Sequence, residues 1–264
     1  MDSEKNIEIL RRFYNLKGLT TNFEKDNEYL ENAFNKITDI WFDNLAKIRE
    51  VKYLMIAEAP LWGKKESYIY NPDTPNTQFF HKTDLECVLK NITISDKRDF
   101  INRCNEIGLL IIDISPFALN TEDTIINYRL KSRNNPNGMT KNEYRQLIKD
   151  TIPTFFEDKI KAVEQRKSDK IKVFFRYARV KDTFQDIVSN TLINYNLIKS
   201  KDDILEISQQ GGGIDRRKFM AIINPEKMAL LWCNKGYLEQ PCKFWNVLEH
   251  VFARCSDFSL FFWK

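Results

Sequence analysis

The sequence predicts an α/β protein with three layers, α/β/α, built on a central four-stranded, mainly parallel sheet. Three observations predict it. Short apolar runs alternate with stretches of helical apolar spacing along the chain. The runs are continuously apolar, as in strands covered on both faces, and lack the alternation of a half-exposed strand. Three of them also end in a polar residue with a proline close behind. A length of 264 residues fits one sizeable domain with an extension. The expected division is an N-terminal helical extension over 1–50, packed on a domain over 51–264.

In order, residues 1–50 are helical, with Leu30, Phe34, Ile37, Trp41, Leu45 and Ile48 in one apolar stripe. The first strand is the run Tyr53–Ala57 within KYLMIAEAPLW. It stops at Glu58, Ala59 and Pro60, because proline cannot donate to the ladder. GKKESYIYNPDTPNTQFF, 63–80, is a long loop. A mostly helical stretch, 83–107, ends at Gly108 as a C-terminal cap. The second strand lies in LLIIDISPF, 109–117, and NYRLKSRNNPNGM is a polar, basic loop. A helix over 141–163 is kinked or broken near Pro153, and EQRKSDK is a solvated turn. A third strand, KVFFRYARV, spans 172–180, and a helix through Phe184, Ile187, Val188 and Leu192 follows it. The loop SQQGGGIDRRK leads to a fourth strand, FMAIIN, ending at Asn224 and Pro225. The remainder is helical, with Trp232, Trp245, Leu248, Val251 and Phe252 inward.

Composition excludes several classes. The five cysteines form no CxxC pair and there are two histidines, His81 and His250. Reduced, mostly buried thiols in a cytoplasmic protein are expected, with no metal and no cofactor. The charged first residues contain no apolar segment of a signal peptide, and no run approaches a membrane span. Net charge is +4, too small to imply nucleic acid unless the basic residues cluster. No phosphate-cradling GxGxxG or GxxxxGK and no GxSxG elbow occurs.

Parallel strands would bring Glu58, Asp113 and Asn224 to one edge, the edge where open α/β sheets bind ligands. The motifs at these ends resemble those of the uracil-DNA glycosylase superfamily. AEAP, followed by a long loop and Phe79–Phe80, is similar to its GEAPG motif with a downstream base-stacking aromatic. LLIID resembles the family strand that ends in a base-reading asparagine. INPEKM resembles the final HPS motif with its following apolar residue. The resemblance covers about residues 50–235 and implies a uracil-DNA glycosylase-like fold.

It also implies a base flipped from DNA and hydrolysis of its N-glycosidic bond, leaving an abasic site. Extrusion costs a few kcal/mol, offset by stacking and edge hydrogen bonds. Phe79 or Phe80 would stack the base, worth about 1–3 kcal/mol, although core packing is an equal alternative for each. Glu58 would stabilise the oxocarbenium-like state and position water. Asn224, standing for the family histidine, would donate to the departing base. Met228 would plug the vacated helix, or else pack in a helix.

Two departures redirect the substrate. Asp113 stands where a uracil reader has asparagine. An ionised carboxylate only accepts, so it suits the amino group of a cytosine-type base. A modified cytosine, hydroxymethylated or glucosylated as in some phage DNA, follows. Leu61 replaces the second glycine of GEAPG and would line the base pocket. For DNA contact, Arg216, Arg217 and Lys218 follow Gly211–Gly213, while Arg176 and Arg179 follow the third strand. The expected partner is DNA, bound by a monomer. Uracil remains an alternative, because a protonated Asp113 imitates asparagine. So does a catalytically silent nucleic-acid-binding module on the same fold.

Overall fold

A computed structural model describes residues 1–75, 80–89, 92–119, 123–131, 133, 138–209 and 212–225. The expectations placed on Phe79, Gly211, Met228, three of the cysteines, His250 and the apolar C-terminal stretch lie outside these residues. Cys87 and Cys104 are free thiols.

The chain opens with α1 (Ser3–Leu16), capped by the Asp2 carboxylate on Lys5 N–H, and α2 (Thr20–Lys47). The apolar stripe on α2 is buried as its spacing requires. β1 (Val51–Ala57) follows, then α3 (Lys82–Val88), α4 (Lys97–Ile107) and β2 (Leu109–Asp113). The mostly helical stretch expected over 83–107 is thus two helices, α3 and α4. Gly108 caps α4 at φ +76° and lets the chain turn directly into β2. β3 (Asn127–Leu130) and β4 (Gly138–Met139) pair in a small separate sheet within the expected polar loop.

Next, α5 (Lys141–Thr151) starts on a Thr140–Glu143 capping box. A 3-10 turn at Ile152–Thr154, with Pro153 in its first turn, separates it from α6 (Phe156–Glu164). Proline has no N–H to continue the α-helical ladder. β5 (Lys167–Phe175) begins inside the stretch expected to be a solvated turn and ends before Arg176. After it come α7 (Ala178–Asn194), a 3-10 turn at Lys201–Asp203, and β6 (Leu205–Glu206).

The largest correction is the last element. FMAIIN is not a strand: it lies in α8 (Arg216–Ile223). The Asp215 carboxylate accepts from the backbone N–H groups of Arg217 and Lys218 and fixes the first turn. An apolar run this short fits either period, and the cap decides. The fourth strand is β6.

The main sheet is all parallel, in the order β2-β1-β5-β6. By register Tyr53, Lys172 and Met55, Phe174 share one face. On that face Tyr53 OH and Lys172 Nζ donate to the carbonyls of Ile223 and Ile222 at the end of α8. The helices fall into two contact groups: α2 with α1, α5, α7 and α6, and α4 with α3 and α8. That grouping is what a three-layer α/β/α architecture requires.

The outer edge of β2 is closed by side chains. Ile111 N–H donates to Tyr70 OH at 2.6 Å, and Ile111 C=O accepts from Trp41 Nε1 at 2.9 Å. An otherwise open ladder edge is thus occupied. One continuous apolar core includes residues of α1, α2, the sheet and α8. Among the described residues, no helix is long and apolar enough to cross a membrane.

Candidate active site at the carboxyl edge of the sheet

The strand order makes a topological switch between β1 and β5. The chain leaves β1 for β2 on one side and later returns to β5 on the other. Crevices at such points bind ligands. Glu58 leaves the end of β1 there. Ala57 pairs with Asp113, and Ser115 N–H donates to Glu58 C=O at 3.0 Å. The two carboxylates therefore belong to adjacent strand ends.

Glu58 is 7% exposed. Its Oε2 accepts from the Arg179 guanidinium at 2.5 Å. Its Oε1 is buried with no hydrogen-bond partner among the described residues. Burial pushes the carboxyl above its usual range, and Arg179 pulls it back. Arg179, in the first turn of α7, holds one oxygen and leaves the other for a water or a developing positive charge.

Asp113 is 4% exposed. Tyr68 OH donates to its Oδ2 at 3.2 Å, and Oδ1 accepts no hydrogen bond among the described residues. Burial pushes its carboxyl up to about 6, while the Lys159 ammonium and the Tyr68 hydroxyl hold it down. A cavity of about 30 Å³ adjoins it, lined by Ala57, Ala59, Leu61, Tyr68 and Ile69 among others. That volume admits one water and no pyrimidine. A base could reach Asp113 only if the segment after Pro60 moved. Lys97 anchors that segment: its Nζ donates to Tyr68 C=O and Thr74 Oγ1, both at 2.6 Å. Burial pushes the Lys97 ammonium down to about 8.

Beside the switch point, a cleft of about 980 Å³ is lined by His81, Asp84, Arg176, Arg216, Arg217 and the Gly212–Gly213 backbone, among others. Arg176 N–H donates to Ile56 C=O at 3.0 Å, which fixes the cleft next to β1. The Arg176 guanidinium is buried, donates to Gly212 C=O at 3.2 Å and lies 4.3 Å from the Tyr177 ring centroid. It braces the glycine loop. Arg216 is held by Asp84 at 2.9 Å, and Lys218 pairs with Glu206. Arg217 makes no ion pair among the described residues.

Glu58, Asp113, Leu61, Arg176 and Arg179 thus gather at one edge, with Arg216 and Arg217 on the adjoining cleft. Two expectations fail. Phe80 is 1% exposed and packs edge-on against Phe100 and Phe219, so it presents no face to a base. Asn224 caps α8, and its Nδ2 donates to Val88 C=O at 3.4 Å. The carbonyl before it is bound by Tyr53, five residues upstream of Glu58 and about 16 Å away along the strand. Asn224 does not join the carboxylates, because the run before it is a helix and not a fourth parallel strand.

Tyr68, Lys97 and Lys159 were not anticipated from the sequence. A signal existed for Lys159, which falls in the apolar four-residue register Phe155–Lys159–Val163. The chain was compared with models of protein families, with curated proteins and with solved structures, and it matches none of them.

Proposed function

We propose that this chain is a DNA glycosylase with a uracil-DNA glycosylase-like fold. It flips out a modified cytosine and hydrolyses its N-glycosidic bond. The observation that carries the reading is the pair of buried carboxylates at adjacent parallel strand ends beside the switch point, with Glu58 Oε1 unpaired among the described residues.

The chemistry follows from the two oxygens left open. DNA lies along the arginine-lined cleft, where Arg217 meets phosphate and Arg216 and Arg176 hold the cleft in shape. The segment 61–75 lifts and the extruded base enters beneath it. Asp113 Oδ1 accepts from the exocyclic amino group while Tyr68 keeps Oδ2. As the C1′–N bond breaks, its electron pair leaves with the base and positive charge grows on the sugar. Ionised Glu58 stabilises that charge and receives a proton from the water whose oxygen bonds to C1′. The proton on Glu58 then passes through water to the departing base anion, which leaves a free base, an abasic site and Glu58 ionised again.

A second reading is a silent nucleic-acid-binding module. It is favoured by the distance of Asn224 from Glu58, which leaves no described side chain in the role of the family histidine. Duplexes carrying uracil, hydroxymethylcytosine or glucosylated hydroxymethylcytosine distinguish the two. A glycosylase releases free base in a Glu58-dependent manner. A silent module binds the same duplexes and releases nothing.

A further inference from the structure

We infer that Lys159 fixes the charge of Asp113 and thereby decides which base edge the pocket accepts. The inference rests on the glycosylase reading of the same site. Lys159 acts through Asp113 and is a positioning residue.

Lys159 is fully buried, yet its ammonium has no hydrogen-bond partner among the described residues. It lies 4.3 Å from the Phe155 ring centroid and 4.7 Å from that of Trp41. The Trp41 indole N–H is bound to Ile111 C=O, two residues before Asp113 in β2. The cation is thus linked through one side chain to the strand that ends in Asp113. The other titratable groups around the pair are Glu58, held by Arg179 at the adjacent strand end, Tyr68, on Asp113 Oδ2, and Tyr70, on Ile111 N–H, with Cys104 beside Tyr70. Burial pushes the two tyrosines and Cys104 upward, so these three stay neutral at neutral pH. The Lys159 ammonium holds the Asp113 carboxyl down.

A buried carboxylate deprived of its counter-charge takes up a proton. Ionised, Asp113 only accepts, and it selects an amino-bearing edge. Protonated, it offers both an O–H and a carbonyl, as an amide does, and suits the carbonyl and imide edge of uracil. Coupling through the field and not through a direct salt bridge leaves Oδ1 open to the ligand. A lysine here costs stability to bury, and the selectivity it confers is a reason to keep it.

The test compares wild type, Lys159→Met, Asp113→Asn and the double variant. Isotope-edited infrared spectroscopy follows the Asp113 carboxyl, with Asp113→Asn identifying its band. In Lys159→Met the carboxyl should titrate about one pH unit higher or more. The release ratio of hydroxymethylcytosine to uracil should fall by about tenfold or more. In the Asp113→Asn background, Lys159→Met should change that ratio by less than about twofold. If Lys159→Met does not fold, wild type decides. Its ratio should fall as pH drops through about 6, where Asp113 gains its proton. An unmoved carboxyl titration overturns the inference, and so does a moved titration or a pH series with an unchanged ratio. Release of neither base by wild type overturns the glycosylase reading and the base-edge claim with it. The infrared titration then distinguishes that failure from failure of the coupling.

Discussion

Glu58 is subject to two opposing influences, burial and Arg179, and their balance sets the pH range in which it is ionised. Arg179→Ala removes the cation and leaves burial unopposed, so the carboxyl moves further up. The proposed hydrolysis uses ionised Glu58, so under that reading the acid limb of the pH–rate profile should shift to higher pH in this variant. A limb that stays put would separate Arg179 from the chemistry. Asp113 also bears on stability. Burial holds its folded carboxyl above the usual aspartate range, at about 6. Its contribution to stability is therefore complete below about 4 and is lost as pH rises through about 6. These side chains were legible to different degrees. Glu58 and Asp113 could be found because each interrupts or ends an apolar run. Tyr68 could not, because what matters about it is contact with a residue far away in sequence, and for Lys159 the apolar register shows burial but not its partner.

At the scale of elements, Gly108 joins α4 to β2 with a positive φ, and a Cβ there would run into the Glu50 carbonyl. Gly108→Ala should destabilise the protein by more than about 1 kcal/mol, measured as a lowered denaturation midpoint with unchanged slope. The segment 61–75 is held by Lys97. Lys97→Met should raise amide hydrogen exchange in that segment while β1 stays protected. Equal protection in both proteins would mean that Lys97 is not the anchor. β1 and β2 were readable because proline and glycine bound continuous apolar runs. β6 was not, because two residues carry no period. FMAIIN reads as a strand because its five-residue apolar run fits either period, and the Asp215 cap is what marks it as helical. That misreading alone carried Asn224 into the expected site.

At the scale of the molecule, the small cavity at Asp113 and the arginine-lined cleft both lie at the carboxyl edge of the parallel sheet. If DNA lies in that cleft, binding should weaken linearly with the logarithm of salt concentration. Arg217→Ala should reduce that slope by about one. An unchanged slope would remove Arg217 from the DNA path. The α/β class and the parallel sheet were legible from alternation of apolar periods. The closed pocket over Asp113 was not, because it depends on how a loop packs. The central claim is that two acidic strand ends act together on an extruded base. It is tested most directly by mass spectrometry of bases released from DNA containing uracil, hydroxymethylcytosine and its glucosylated form. Wild type, Glu58→Gln and Asp113→Ala would be compared. The account predicts release of a cytosine-type base by wild type and a loss on the order of 10² or more in Glu58→Gln, with all three proteins folded. No release by wild type, or equal release by the variants, would contradict it.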